Sequence, residues 1–365
     1  MLSGYRRAMR YSRAWAGNPI PLREDEITVA AGPRSVPATL FVPARPRGPL
    51  PGWVVLHGLT RPGRAHPSLL RFCRALASSP AVVLCPEVPE WRELRLAPRE
   101  AQPIIRSSVL AVAGRPETEG PAGLLGFSFG APQALLAATD PAVEGTLGCV
   151  AGFGGFFDLD ATLRFLFTGH HAWEGRPLHR RPDPYGRWVV GANYLTAVPG
   201  YERAGPLAEA LHTLAVAAGE RQIESWDPAH DPVKDALRAG LPAELRPVWD
   251  VFAPAGGGDP TQEQAAPLAH GLAEAIRADA VGLEPRHHIE ALRTPVRLLH
   301  GSGDALIPYT ETLRAGRALS RAGHRDARVT ITGLFAHSGE GEGSGRRTVE
   351  ALRLLRGLAG VLGAV

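Results

Sequence analysis

Short apolar runs alternate with helix-length amphipathic segments over much of this chain, and that rhythm breaks once. Ile27–Val29 and Val36–Val42 are β-prone runs separated by the turn-forming Ala31-Gly32-Pro33-Arg34, which predicts two antiparallel strands. From residue 53 the pattern becomes strand, helix, strand. Trp53–Leu56, Ala81–Cys85, Gly123–Gly126 and Leu147–Ala151 read as buried strands, with helices expected over Ser68–Ala77, Arg99–Val112 and Ala131–Ala138. This is how right-handed crossovers of a parallel sheet are written in sequence.

Between about Gly155 and His288 the rhythm stops. Pro, Gly and Trp recur irregularly, and helical spacing is confined to Leu159–Phe167, Pro206–Ala218 and Ala265–Ala280, with Ala255-Gly256-Gly257-Gly258-Asp259 reading as a flexible hinge. The rhythm then resumes: strand Val296–His300, helix Thr310–Ala322, strand Ala327–Thr332, helix Arg346–Leu362. The expected organisation is an N-terminal arm over 1–25, with no clear period and Trp15 as its anchor. A sheet domain follows over 26–154 and 289–365, interrupted by a helical cap over 155–288. An insertion of roughly 130 residues exceeds any ordinary loop.

Hydrophobic residues make up 44% and charged residues 21% of the 365, which is enough apolar surface to bury a core. The net charge of +4 hides 40 basic residues, all arginine except Lys234, but they are scattered from Arg6 to Arg356. Without a basic cluster, a nucleic-acid partner is not expected. Cys73, Cys85 and Cys149 lie far apart in apolar surroundings and read as reduced core residues. No run approaches the length of a membrane span and no signal-peptide pattern opens the chain, so a cytoplasmic protein with no membrane partner is expected.

Chemistry concentrates at strand ends. Gly126-Phe127-Ser128-Phe129-Gly130 sits between a predicted strand and a predicted helix, the context that distinguishes a nucleophile elbow from a chance G-x-S-x-G match. Gly126 and Gly130 would let strand and helix approach, while the helix N-terminus favours negative charge developing at Ser128. Asp304, in His300-Gly301-Ser302-Gly303-Asp304, follows a strand at the carboxyl end of the sheet, where it can orient an imidazole. Asp158 and Asp160 are alternatives for that role. His337, in Leu334-Phe335-Ala336-His337-Ser338-Gly339, follows the last strand and is the best general base. After the strand ending at Leu56, His57-Gly58-Leu59 offers the Leu59 backbone N–H, and the residue after the serine offers that of Phe129, as an oxyanion hole. His57 itself reads as a brace for that loop. The pairs His170-His171 and His287-His288 lack Cys or carboxylates at ligand spacing, so no metal is expected.

With these residues in place the chain resembles the α/β-hydrolase superfamily from Ile27 to Leu362. His57-Gly58, the Gly126–Gly130 elbow, the His300–Asp304 acid loop and His337 match its oxyanion, nucleophile, acid and histidine loops in the order Ser, Asp, His. The resemblance implies an α/β fold with a mostly parallel eight-stranded sheet, a cap inserted after the sixth strand and no cofactor. It implies a serine hydrolase acting on a small-molecule, ester-like substrate through an acyl-serine. The same triad could instead cleave an amide, thioester, carbamate or carbon-carbon bond, or transfer an acyl group, and a non-catalytic binding protein of this fold is the reading from another class.

Two features of the 155–288 segment bear on substrate. Trp173, Trp188, Tyr194, Tyr201, Trp226, Trp249 and Phe252 could line an apolar pocket or pack the cap onto the core. Arg164, Arg176, Arg180, Arg181 and Arg187 could attract an anion or form a solvated face.

Overall fold

The computed structural model describes residues 2–221, 223–279, 282–334 and 347–365. Its strands are β1 (Leu22–Ala31), β2 (Arg34–Pro43), β3 (Gly52–Leu56), β4 (Val82–Pro86), β5 (Ala122–Phe127), β6 (Leu147–Phe153), β7 (His170–Trp173), β8 (Arg176–His179), β9 (Val296–Gly301) and β10 (Ala327–Thr332). Eight of them form one sheet in the order β1-β2-β4-β3-β5-β6-β9-β10, and β7 pairs with β8 apart from it. β2 runs antiparallel to both its neighbours, and the pairs from β4 through β10 are parallel. The mostly parallel eight-stranded sheet expected from the sequence is present.

Period-2 alternation sends each strand's side chains to opposite faces. Trp53 and Val55 of β3 join one buried cluster, whereas Val54 and Leu56 join the other. The Trp53 face is covered by α1 (Leu2–Trp15) and α2 (Pro67–Ala77), and by the final helix, Arg347–Leu362. The Val54 face is covered first by α3 (Pro89–Arg92), α4 (Pro98–Ala113), α5 (Gly130–Ala137) and α6 (Pro141–Glu144).

The 155–288 segment carries α7 (Leu159–Thr168), the β7–β8 hairpin, α8 (Tyr185–Tyr194), α9 (Gly205–Arg221), α10 (Asp231–Gly240), α11 (Arg246–Phe252) and α12 (Gln262–Asp279). The hairpin, α8, α10 and α11 are additional to the three helices expected. The hairpin turns on Glu174 and Gly175, both at positive φ, the backbone demanded by a tight two-residue turn. α10 and α11 each carry proline as their second residue, Pro232 and Pro247, in the first turn where no intrahelical N–H bond is lost, so residues that look like helix breakers act as starters. Around the presumed hinge, Ala255–Gly257 forms a single 3-10 turn, and the Gly256 N–H donates to Asp231 at 3.2 Å. Beyond β9 come α13 (Thr310–Arg321) and α14 (Arg347–Leu362).

Within residues 1–25, read above as an arm, the chain forms α1 and opens β1 at Leu22. The buried face of α1 is Gly4, Ala8, Tyr11 and Ala14, a stripe of mostly small residues at helical spacing. It packs against α14 and α2. Arg7 ties the helix to the C-terminal end of α14, donating to the Leu362 and Val365 carbonyls. β1 and β10 are the sheet's two edges. The three cysteines are buried and unbridged. Among the described residues no helix is long and apolar enough to cross a membrane.

Candidate active site

Ser128 occupies the turn between β5 and α5 with φ of 50°, in the left-handed region that a side chain ordinarily avoids. The turn is held at both ends: the Ser128 N–H donates to the Phe153 carbonyl at 2.8 Å, and the Ala131 N–H donates to the Ser128 carbonyl at 3.0 Å. A Cβ on Gly126 would stand 2.0 Å from the Gly130 carbonyl oxygen, and one on Gly130 would stand 2.5 Å from that of His57. Only hydrogen fits at either place, so the strand, the serine and the helix meet where both glycines occur. This strand, turn and helix are arranged as the resemblance to the α/β-hydrolases implies.

The loop after β3 lies against the serine. A Cβ built on Gly58 would be 3.1 Å from Ser128 Cβ and 3.5 Å from Ser128 Oγ. Among the described residues neither the Leu59 nor the Phe129 backbone N–H has a protein acceptor. His57 is buried beneath the loop. Its Nδ1–H donates to the Gly58 carbonyl at 2.7 Å, leaving Nε2 to accept from the Val88 N–H at 3.0 Å. A carbonyl can only accept, which puts a proton on Nδ1, while Nε2 also lies 3.1 Å from the Glu87 carboxylate. Trp91 packs edge-on against both the His57 and Phe129 rings.

Ser128, Gly58 and Leu59 open on one cavity of about 760 Å³. It runs from the serine along the Trp53 face of the sheet to α1, α2 and α14, and its upper wall includes Asp183, Tyr185 and Glu224. None of the seven aromatics singled out in the 155–288 segment lines it. Trp188, Trp249 and Phe252 are buried in the core instead, where the Trp188 and Arg187 side chains both donate to the Phe252 carbonyl. The cavity's aromatic walls are Tyr11, Trp15, Phe72, Phe127 and Phe153. These residues lie on elements whose apolar pattern looked like ordinary core.

Asp304 is fully buried in the loop after β9, and Leu306, two residues on, lines the same cavity as Ser128. Its Oδ1 accepts from the Leu306 and Ile307 N–H groups, both at 2.9 Å. Its Oδ2 lies 3.2 Å from Nε2 of His300, which also faces the Ile307 carbonyl at 2.9 Å. Nε2 therefore carries the proton, and Nδ1 accepts from the Thr312 hydroxyl at 2.7 Å. The alternative acids are engaged elsewhere. Asp158 caps α7 through the Ala161 N–H and pairs with Arg286, and Asp160 pairs with Arg277. His337 lies outside the described residues.

Glu311 escaped the sequence reading. It sits in the first turn of α13, fully buried, and accepts from the Phe157 and Asp158 N–H groups at 3.1 and 2.8 Å and from Arg314 at 3.0 Å. It thus holds the chain where β6 gives way to the 155–288 segment. Burial pushes its carboxyl up to about 7, outweighing those donors. An acid in the first turn of a helix ordinarily faces water, so nothing in the sequence marks this one.

Of the histidine pairs, His171 meets the Thr310 hydroxyl at 3.1 Å, and burial lowers its pKa to about 4. His287 pairs with Glu284 at 3.2 Å. Among the described residues no group of three or more His, Cys, Asp or Glu side chains is placed to hold a metal ion.

No family model and no curated protein matches the chain. Solved structures do superpose on it. With the Pyrococcus horikoshii acylaminoacyl peptidase the identity is 10% and the TM-score 0.48, covering 94% of this chain and 41% of that one. The chain thus spans about two fifths of that peptidase's length. A bacterial brefeldin A esterase, described as a homologue of human hormone-sensitive lipase, gives 15% and 0.48, covering 95% and 76%. The 2-hydroxy-6-oxo-6-phenylhexa-2,4-dienoate hydrolase of a Rhodococcus strain gives 15% and 0.46, covering 92% and 99%.

Proposed function

We propose that the protein is a serine hydrolase that cleaves a carboxylic ester, with the 155–288 segment as the cap over its active site. The observation that carries this reading is the strained Ser128, set against Gly58 and beside two backbone N–H groups that no described protein acceptor uses, at the end of an open cavity.

Ser128 Oγ attacks the ester carbonyl carbon and passes its proton to His337. The carbonyl oxygen becomes an oxyanion that accepts hydrogen bonds from Leu59 and Phe129, each such donor being worth about 2.7 to 4 kcal/mol. Collapse of the intermediate expels the alcohol, which takes the proton from His337 and leaves an acyl-serine. Water then attacks by the same route, and the carboxylic acid departs as Ser128 regains its proton. Asp304, held by two backbone N–H groups and His300, orients His337 and stabilises its imidazolium form.

Hydrolysis of p-nitrophenyl acetate and butyrate by the purified protein, measured beside Ser128→Ala, tests the reading. The expected result is a loss of at least about 10³-fold in the variant. Equal rates for the two proteins would reject it.

A further inference from the structure

The cavity at Ser128 has a chemical character that the triad alone does not predict. Its inner walls come from helices outside the 155–288 segment: Tyr11 and Trp15 of α1, Phe72 of α2, and Leu354, Leu355 and Leu358 of α14. Among the described residues the acids and histidines that line it are Asp183, Glu224, His57 and His66, with no arginine or lysine. That distribution is unexpected in a chain with 40 basic residues. Among the described residues an anionic substrate would meet two acids and no arginine or lysine, whereas an uncharged chain would remove apolar wall from water. The volume, about 760 Å³, lies well within the range of drug-sized ligand sites and exceeds what a short acyl ester fills.

Resting on the ester-hydrolase reading, we infer that the substrate is a neutral ester bearing one long apolar chain, and that the N-terminal helix α1, which lines the cavity beside α14, selects for the length of that chain. A chain seated between α1 and α14 is carried past Ser128 on the Trp53 face of the sheet. The cap then contributes the rim, and the apolar depth belongs to the core helices.

Two ester series test this: p-nitrophenyl esters from acetate to octanoate, and acetate esters of alcohols from ethyl to octyl. In at least one series kcat/KM is expected to rise about tenfold or more with chain length. Ser12, exposed on α1 and lining the cavity, and Leu354 on the facing wall are each changed to tryptophan to fill the space. Either Ser12→Trp or Leu354→Trp should lower the long-to-short ratio of kcat/KM at least about fivefold. Turnover of acetate with a flat profile in both series, or a ratio unmoved in both variants, overturns this inference and leaves the hydrolase reading standing. Failure to hydrolyse any ester above the Ser128→Ala level overturns both.

Discussion

His300 and Asp304 form a fully buried pair, Nε2 to Oδ2 at 3.2 Å, in which the Thr312 hydroxyl and the Ile307 carbonyl dictate that the imidazole presents a proton to the carboxylate. With Leu306 and Ile307 donating to the other oxygen, Asp304 is held in place by three donors. Asp304→Asn keeps the shape but replaces one acceptor oxygen with a donor and removes the charge. Its kcat for ester hydrolysis is expected to fall by on the order of 10⁴-fold. A loss below tenfold would remove Asp304 from the triad.

Thr312→Val tests the same network one step back. Without the hydroxyl, Nδ1 of a buried imidazole has no donor, while the Ile307 carbonyl and Asp304 still require the proton on Nε2. Denaturant unfolding should show a loss of about 1 to 3 kcal/mol. The pH profile of kcat should shift together with activity, which a purely structural defect would leave in place.

The brace under the oxyanion loop makes a separate prediction. His57→Ala deletes the donor to the Gly58 carbonyl and the acceptor of the Val88 N–H. The expected outcome is a fall in kcat of on the order of 10²-fold, because the Leu59 N–H is no longer held in position. Faster hydrogen exchange at the Val88 amide should accompany it.

Gly126→Ala places a methyl group 2.0 Å from the Gly130 carbonyl oxygen, a backbone atom that cannot swing away. A loss of about 1 to 3 kcal/mol in unfolding free energy is expected, with activity falling alongside as the elbow opens.

Glu311 gives the fold a pH dependence of definite sign. Its folded pKa is raised to about 7 from an ordinary 4.5, so between these values the folded protein holds a proton that the unfolded chain has released. The contribution is fully present below about pH 4.5 and is lost as pH rises through 7. Compared with Glu311→Gln, the wild-type protein should lose unfolding free energy between pH 5 and pH 8, on the order of a few kcal/mol. Parallel curves for the two proteins would refute this.

The sheet domain was legible because buried parallel strands are apolar runs, and Trp53–Leu56, Gly123–Gly126 and Leu147–Ala151 each fall within a strand found in the structure. The serine was legible for a steric reason that leaves a trace in sequence, glycine two residues to either side. What the sequence concealed depends on distant contacts. The buried face of α1, Gly4, Ala8, Tyr11 and Ala14, recurs at helical spacing, but what covers it is set by α14 and α2, far away in the chain or beyond the next strands. Glu311 looks like a surface acid, and the aromatics that line the cavity do not differ in pattern from those that fill the core. In the 155–288 segment, tertiary packing places Trp188 and Phe252 inside, where composition alone allowed either role.

β1 stands at one edge of the sheet with Arg23, Glu24, Asp25 and Glu26 in succession. Glu24 is paired with Arg74, Asp25 with Arg23, and Glu26 with Arg64. A second strand could extend the sheet at this edge only by stripping water and partners from a run of fixed charges. The apolar strands inside are therefore screened from foreign chains by the most polar strand of the sheet, and this rim works against the edge-to-edge association that leads to aggregation.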